Sequence, residues 1–457
     1  MTGFSRLGIR LADWSERWFP DAFVFALGAI AIVFVFGLLL GVGMRDLVNY
    51  FGVGFWSLIP FTMQMVIIII GGYVVASSPP VYRLIRLLAT FPRTPRGAIA
   101  FVAFFSMATA MVSWGLSLIF SGMLVREVVR NVKGIDYRAI GAAAYLGAGS
   151  VWALGLSSSA ALLMATPSAL PAALVKISGV ILLSQTIYSW QSLVTAAILI
   201  VVSVLVAYLS APRHSDRTAE SFGVTAPLIV HEHEERRTPA EWLEYAPALS
   251  IAVGVLGMAY LFQVLAARGP LAALDLNTYN LLFLMVGLLL HWRPRSFVKA
   301  VNDSVPATAG VLIQFPFYGG IFGMISFSSI SHTMARFFVR VSSHGTFPLL
   351  VSIYSAVLGM FVPSGGSKWI IEAPYVLQAA KDLHVNLGWV VQIYNASEAL
   401  PNLINPFWML PLLGILKVRA RDLVGFGMLY FFVNAALVLF LMWFLARTFA
   451  YVPPVMP

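Results

Sequence analysis

Two apolar stretches of the chain are each interrupted by a short polar run, Val112-Ser-Trp-Gly-Leu-Ser117 and Val362-Pro-Ser-Gly-Gly-Ser367. Proline removes a backbone donor and glycine tolerates unusual backbone dihedrals, so we expect a helix to stop at each run. In lipid, the backbone groups freed there must be buried in protein or face a wet cavity. The two stretches therefore predict re-entrant helical hairpins, at about 98–125 and about 346–380, within an all-α membrane protein.

The composition also indicates a membrane protein. The chain has 457 residues, of which 60% are hydrophobic and only 11% charged, and its mean hydropathy is +0.86. Soluble domains are usually about half apolar and a quarter charged. The net charge of +10 lies mainly in short loops beside apolar runs, so we expect a lipid bilayer as partner and no nucleic acid. The absence of cysteine excludes disulfides and thiolate metal sites.

Nine segments are predicted to cross the membrane, because each approaches the ~20 apolar residues that span hydrocarbon as a helix. They lie at about 22–43, 55–77, 139–166, 193–210, 245–266, 274–292, 305–327, 387–413 and 424–446. With the N-terminus in the cytoplasm, 21 of the 29 Lys and Arg fall on the cytoplasmic side, which is the usual bias. We therefore predict a multi-pass protein of the bacterial inner membrane with a cytoplasmic N-terminus and a retained first helix.

The two halves of the sequence resemble each other. The polar runs quoted above lie 250 positions apart, and Ser159-Ala-Ala-Leu162 matches Ser397-Glu-Ala-Leu400 at a shift of 238. The predicted units are a first repeat at 1–210 with a broken helix at 139–166, a cytoplasmic linker and connecting helix at 211–270, and a second repeat at 271–457 with a broken helix at 387–413. An odd number of crossings before the second copy inverts it. Inverted repeats with paired interrupted helices are typical of secondary transporters.

The interruptions are the expected binding region, because half-helix N-termini present N–H donors and a positive dipole end to an anion. The candidate substrate- and ion-binding residues are Ser113, Trp114, Gly115, Ser117, Ser157, Ser158, Ser159, Ser364, Gly365, Gly366, Ser367, Lys368, Asn395, Ser397, Glu398 and Asn402. Hydroxyl and amide oxygens suit a hard cation. The oxygens that could hold Na⁺ are those of Ser113, Ser157, Ser364, Asn395 and Ser397.

Three charged residues lie inside apolar segments, where ionisable groups are costly and usually functional. Lys368 and Glu372 are one helical turn apart, so they either form a structural ion pair or leave Lys368 to raise the potential around a substrate carboxylate. Glu398 is expected in the unwound part of its broken helix, either as a proton or cation site or as a structural residue. H⁺ and Na⁺ are therefore both open as the coupling ion.

Other classes of protein find less support. A phosphate-binding Gly-Lys-Ser/Thr loop, a His-Glu-x-x-His motif and a Gly-x-Ser-x-Gly motif are all absent from the sequence. ATP-driven transport is therefore not expected, nor is a tightly bound cofactor. An intramembrane enzyme would need a base beside the serines at 157–159, and no His or Lys is near them in sequence. An anion channel with the same hairpins remains a rival to a transporter.

Three further segments are distinctive, namely Leu274-Asp-Leu-Asn-Thr-Tyr-Asn-Leu-Leu-Phe283, Phe361-Val-Pro-Ser-Gly-Gly-Ser-Lys-Trp369 and Tyr394-Asn-Ala-Ser-Glu-Ala-Leu-Pro-Asn-Leu-Ile-Asn-Pro406. In these segments the sequence resembles the bacterial short-chain fatty acid transporter family. The resemblance runs from near residue 15 to near residue 445. It implies membership of a wider ion transporter superfamily that includes sodium-coupled dicarboxylate carriers. Those proteins have two hairpins and two broken helices per protomer, form dimers and move by an elevator motion.

The chain departs from the dicarboxylate carriers at the hairpin tips. They use Ser-Asn-Thr at both tips, whereas the matching positions here are Ser113-Trp114-Gly115 and Ser364-Gly365-Gly366. The departure favours a smaller, monoacidic substrate. The sequence therefore predicts a cation-coupled homodimeric carrier of short-chain monocarboxylates such as acetoacetate or butyrate, with dicarboxylates or other organic anions as the alternative cargo.

Overall fold

The protein is described from a computed structural model that defines residues 22–212, 215–224, 238–269, 273–361, 365–405 and 407–454. These ranges contain α-helices, a few short 3₁₀ turns, one π-helical turn and no β-strand. The helices are, in chain order, α1 (Ala22–Leu39), α2 (Met44–Ser57), α3 (Ile59–Ser77), α4 (Pro79–Leu88), α5 (Pro95–Ala110), α6 (Trp114–Asn131), α7 (Tyr137–Leu146), α8 (Ser159–Ala165), α9 (Ala172–Ser178), α10 (Trp190–Ser210), α11 (Pro239–Tyr245), α12 (Ala248–Arg268), α13 (Leu276–His291), α14 (Pro294–Ser304), α15 (Ala309–Ser326), α16 (Ile330–Val341), α17 (Phe347–Phe361), α18 (Gly365–Asp382), α19 (Leu387–Asn402), α20 (Leu410–Leu416) and α21 (Ala420–Leu445).

The apolar helices confirm an all-α membrane fold. Among the described residues, six helical stretches are long and apolar enough to cross a bilayer, and four shorter apolar helices accompany them. The six are Met44–Ser77, Tyr137–Ala165, Trp190–Ser210, Pro239–Arg268, Ala309–Ser326 and Ala420–Thr448. Each of the nine predicted crossings coincides with an apolar helix or a broken pair of helices. Which of them span the bilayer stays a prediction.

The helices follow one order twice. In α1–α8 plus α10, and again in α13–α21, an apolar helix is followed by an amphipathic, an apolar and another amphipathic helix, then a hairpin, a broken helix and a last apolar helix. The two sets pack against each other, because α1 contacts α15 and α13 contacts α3. Each hairpin also packs against an apolar helix of its own half, with α6 on α3 and α18 on α15. We call 95–165 the first hairpin unit and 347–416 the second hairpin unit.

The first hairpin breaks over a shorter stretch than predicted. α5 ends at Ala110 and α6 begins at Trp114, so the break spans only 111–113. Ser113 has an extended backbone, and its hydroxyl caps α6 by accepting from the Leu116 N–H. The prediction that Gly115 and Ser117 interrupt the helix is wrong. Both lie in its first turns, because the cap at Ser113 already satisfies the start of the helix.

The second hairpin shows the same correction. α18 is helical from Gly365 onward, so Gly365, Gly366 and Ser367 form its first turn rather than the break. The remaining break residues, Pro363 and Ser364, lie outside the described residues. In both hairpins the later part of the polar run therefore belongs to a helix whose first described turn is largely buried.

The two broken helices differ from each other. In the first, α7 passes into a π-helical turn at Gly147–Val151 and a 3₁₀ turn, and α8 starts afresh after Ser158, as predicted. In the second, the prediction that Glu398 lies in an unwound part is wrong, because α19 continues to Asn402. Its polar side chains bond to one another, with Asn395 Nδ2 donating to Gln392 Oε1 at 2.7 Å, and they leave the helical backbone intact. The break follows Pro401.

Candidate functional site

A buried cavity lies where the two hairpin tips and the two broken helices meet. Its volume is about 450 Å³, counting space open to solvent. Four aromatic side chains form much of the wall, namely Trp114, Trp152, Phe315 and Trp408. The Trp114 and Trp408 rings meet edge to face with centroids 5.3 Å apart. The remaining lining side chains are apolar apart from Ser159 and Asn402, and none of the described lining side chains is charged.

The first turn of α18 forms one side of the cavity. Gly365 and Gly366 both line it, and a Cβ on Gly365 would overlap the Trp152 ring. A Cβ on Gly366 would lie 2.9 Å from Phe61 Cζ. Glycine is therefore required for the aromatic rings to pack against the helix start. Gly365 is the first described residue of this 18-residue helix, and a helix N-terminus carries a partial positive charge that favours anions.

Two residues of the cavity lining have a buried polar atom without a hydrogen-bond partner among the described residues. They are Asn402, which is 2% exposed and whose Oδ1 is an acceptor, and Trp152, whose Nε1–H is a donor. A buried polar atom of this kind costs about 1–3 kcal/mol unless a ligand or water satisfies it. The wall at Asn402 therefore favours a polar ligand atom, whereas the aromatic wall favours an apolar one.

The predicted serines of the first hairpin unit hold its break together. Ser157 Oγ accepts a hydrogen bond from the Trp114 N–H at 2.9 Å. Nearby, the Leu156 N–H donates to the Met111 carbonyl at 2.7 Å. Ser158 caps α8. These contacts fix Trp114 at the cavity wall, so their visible role is to position the site.

A fully buried charge cluster lies one helical turn deeper. Lys368 Nζ is 2.7 Å from Glu372 Oε1 and 2.9 Å from Glu398 Oε2, and all three side chains are at most 1% exposed. The same Nζ donates to the Ser355 carbonyl at 3.0 Å and lies 4.3 Å from the centre of the Tyr394 ring. We call Lys368, Glu372 and Glu398 the charge triad.

The two acids of the triad are held differently. Glu372 accepts from Lys368 at 2.7 Å and from Ser355 Oγ at 2.6 Å. Glu398 makes one such contact, the ion pair between its Oε2 and the ammonium, and its Oε1 has no partner among the described residues. Glu398 is therefore the buried carboxylate with unused bonding capacity.

The predicted site residues fall into three groups. Five line the cavity: Trp114, Ser159, Gly365, Gly366 and Asn402. Lys368 and Glu398 form the triad beneath it. The others are placed in packing and hydrogen bonds around it, except Ser364, which lies outside the described residues; they are Ser113, Gly115, Ser117, Ser157, Ser158, Ser367, Asn395 and Ser397.

The oxygens predicted for Na⁺ belong to two separate places. Ser113 and Ser157 lie at the first hairpin tip, and Asn395 and Ser397 lie on α19. No hydrogen bond between described residues joins the two pairs. A sodium site stays a prediction, and the geometry assigns none of these residues to it.

Sequence reasoning missed Trp152, Phe315, Trp408 and the attachment of Glu398 to Lys368. The tryptophans carried a usable signal, because Trp114, Trp152 and Trp408 each lie beside a helix break. The sequence carries no such signal for Phe315 or for the Lys368–Glu398 contact, because both depend on packing between helices that are distant in sequence.

A bundle of apolar helices in which two hairpins and two broken helices enclose a buried cavity defines a multi-pass membrane transporter. The family model described as short chain fatty acid transporter matches residues 3–445. The chain therefore belongs to the short-chain fatty acid transporter family. A protein of Escherichia coli (strain K12) is 35% identical over 428 residues, covering 92% of this chain and 95% of its own length. One of Haemophilus influenzae (strain ATCC 51907 / DSM 11121 / KW20 / Rd) is 32% identical over 433 residues, covering 93% and 96%. Both are named as short-chain fatty acid transporters.

Two solved transporters share the fold at low sequence identity. The chain matches the Neisseria gonorrhoeae protein MtrF with a TM-score of 0.63 and 14% identity, over 98% of this chain and 100% of that one. It matches the Alcanivorax borkumensis YdaH transporter with a TM-score of 0.57 and 14% identity, over 93% and 98%. MtrF is described within a class of antimetabolite efflux pumps. At this identity the likeness establishes the fold alone.

Proposed function

We propose that this protein is a secondary active transporter of short-chain monocarboxylates, of the acetoacetate or butyrate type, in the bacterial inner membrane. The observation that carries the proposal is the cavity, which places a hydrogen-bond donor, the unpaired Trp152 Nε1–H, and the described start of α18 beside apolar and aromatic side chains. A ligand with one carboxylate and a short apolar tail matches this combination.

The charge pattern supports a monoacid over a diacid. The described lining offers one helix N-terminus to an anion and no charged side chain. A second carboxylate would lie against tryptophan and phenylalanine rings, where an unpaired charge is costly. Dicarboxylates or other organic anions are therefore the alternative substrates.

We further propose an elevator-type alternating access in a homodimer, driven by a cation gradient. The hairpin units rest on α3 and α15, and these two helices pack with α1 and α13 into a separate group. Sliding of the hairpin units along α3 and α15 would expose the cavity to each side in turn. The elevator motion and the dimer rest on the family resemblance. The coupling cation is H⁺ or Na⁺.

The test of carrier function is counterflow. Proteoliposomes loaded with unlabelled butyrate should take up external labelled butyrate faster than empty proteoliposomes do, and the rate should saturate. Protein-free liposomes give the background from passive diffusion of the neutral acid. A rate that does not saturate and is unchanged by internal butyrate would indicate an anion channel and contradict the proposal.

The proposed orientation can be tested separately, because the chain contains no cysteine. Arg130→Cys and Ser215→Cys should react with an impermeant thiol reagent only from the cytoplasmic side. Val180→Cys and Arg340→Cys should react only from outside. Labelling of Arg130→Cys from outside would mean that the first hairpin crosses the membrane.

A further inference from the structure

The charge triad contains one more negative than positive side chain. When Lys368, Glu372 and Glu398 are all ionised, the buried cluster carries a net charge of −1. Charge buried without compensation is strongly disfavoured in a protein interior. One additional positive charge would therefore balance the cluster, and Glu398 is the member with a free oxygen atom, Oε1, to receive it.

The surroundings of Glu398 favour a proton over a metal ion. A Cβ on Gly359 would lie 2.8 Å from Glu398 Oε2 and 3.0 Å from Pro401 Cγ, so the space between Gly359 and that oxygen is too small for a methyl group. Its nearest charged neighbour is the Lys368 ammonium, which repels a second cation. A hard metal ion needs several oxygen ligands in place of its water, whereas a proton needs one carboxylate oxygen.

The other titratable groups near Glu398 are few. From α18 the triad members Lys368 and Glu372 face it, and Tyr394 lies on its own helix. Among the remaining helices packed against α19, α21 brings the buried phenol Tyr430. α17 contributes Ser355, which donates to Glu372, and Tyr354, whose hydroxyl bonds to the hydroxyl of Tyr375. Phenols stay uncharged near neutral pH, so they do not supply the missing positive charge.

The triad is linked to the cavity through two helices. Gly365 and Lys368 lie three residues apart on α18, and Glu398 and Asn402 lie four apart on α19. The two residues of each pair lie on the same face of their helix, one turn of about 5.4 Å apart. A carboxylate bound at the start of α18 would therefore lie close to the negative triad and be repelled by it.

We propose that the charge triad is the proton-binding site of this transporter, with Glu398 as the residue that takes up one proton when the substrate carboxylate binds. The proton comes from the solution and bonds to a Glu398 carboxylate oxygen, while the substrate remains an anion. The triad then has no net charge, and the carboxylate is no longer repelled. Release of substrate returns the proton to solution. This inference rests on the proposed transport of a carboxylate.

Coupling between proton binding and substrate binding predicts how butyrate affinity depends on pH. If one proton binds with each substrate, butyrate affinity should rise as pH falls, by up to about tenfold per pH unit, because each ligand raises the affinity of the other by the same factor. Below the pH at which Glu398 is already protonated, the affinity should level off. A sodium salt at constant pH should leave it unchanged.

The experiment counts protons directly. Detergent-solubilised protein is titrated with pH-matched butyrate in weakly buffered solution that contains a pH-indicator dye. We expect wild-type protein to take up close to one proton at saturation, Glu398→Gln none, and Glu398→Asp an uptake at a shifted pH. Glu127→Gln is the matched control, because Glu127 is also buried but bonds to Tyr82 and Arg130 away from the triad. It should behave as wild type.

Two results would overturn the triad assignment. One is wild-type protein that shows saturable counterflow but takes up no proton, which would leave the proposed transport standing. The other is Glu398→Gln that melts like wild type and still takes up a proton. Absence of counterflow in wild type would instead contradict the proposed function. The first result needs only wild-type protein, so the proposal is tested even if Glu398→Gln does not fold.

Discussion

The two hairpin units share an order of helices but differ in the chemistry at their centres. At the shift of 250 positions, Lys368 corresponds to Leu118 and Glu372 to Gly122, and at the shift of 238 Glu398 corresponds to Ala160. The first unit is therefore neutral where the second carries three charges. Its polar groups bond to backbone and hold the break in place. The difference indicates that the second unit recognises the charges and that the first shapes the cavity.

The largest expected effect comes from removing the triad cation. Lys368→Met would leave two buried carboxylates without their counter-ion, and breaking a buried pair in this way typically lowers the free energy of unfolding by about 3–5 kcal/mol. Leu118→Met is the matched change in the first unit and should cost less than about 1.5 kcal/mol, since it conserves volume. Thermal melting in detergent measures both. Equal melting temperatures would show that the triad charges are not coupled.

The second effect compares equivalent glycines at the two helix starts. Gly365→Ala places a methyl into the Trp152 ring, whereas a methyl on Gly115 finds its nearest atom, the Ile69 carbonyl oxygen, at 3.7 Å. Overpacking typically costs about 1–3 kcal/mol of free energy. Because this cost falls on the binding site, Gly365→Ala should reduce butyrate counterflow about tenfold. Gly115→Ala should not.

The shape of the site gives this prediction its control. Trp152→Phe removes the ring atoms that the new methyl would meet, so the double variant Gly365→Ala/Trp152→Phe should recover part of the lost counterflow. Equal losses in Gly115→Ala and Gly365→Ala would contradict an anion site at the second helix start alone.

Much of the fold could be predicted from local sequence, because proline, glycine and capping serines act on the backbone where they stand. The hairpin tips and the first broken helix at Ser157 and Ser158 were predicted on that basis. The continuity of α19 was not predicted, and its polar side chains are satisfied by residues distant in sequence, since Gln392 donates to Ser192, two hundred residues away. The triad is similar. The spacing of Lys368 and Glu372 indicates their pairing, but the contact with Glu398 exists only because α18 packs on α19.

The smallest effect compares two serines at corresponding parts of the broken helices. Ser158 caps α8, so Ser158→Ala should lower the free energy of unfolding by about 1 kcal/mol. Ser397 lies inside the continuous α19 and its buried hydroxyl has no hydrogen-bond partner among the described residues. Ser397→Ala should therefore be neutral or slightly stabilising. Equal destabilisation by both, in urea or heat, would show that α19 needs its serine as much as α8 does.

The central claim is that a proton gradient drives this protein to accumulate a short-chain monocarboxylate. The most direct measurement is uptake of labelled butyrate into proteoliposomes under proton and sodium gradients imposed separately, with protein-free liposomes subtracted. We predict a saturable initial rate of uptake above that background with an inward proton gradient alone, and no accumulation with a sodium gradient alone. Accumulation driven by sodium without a proton gradient, or uptake no greater than that of protein-free liposomes, would contradict the claim.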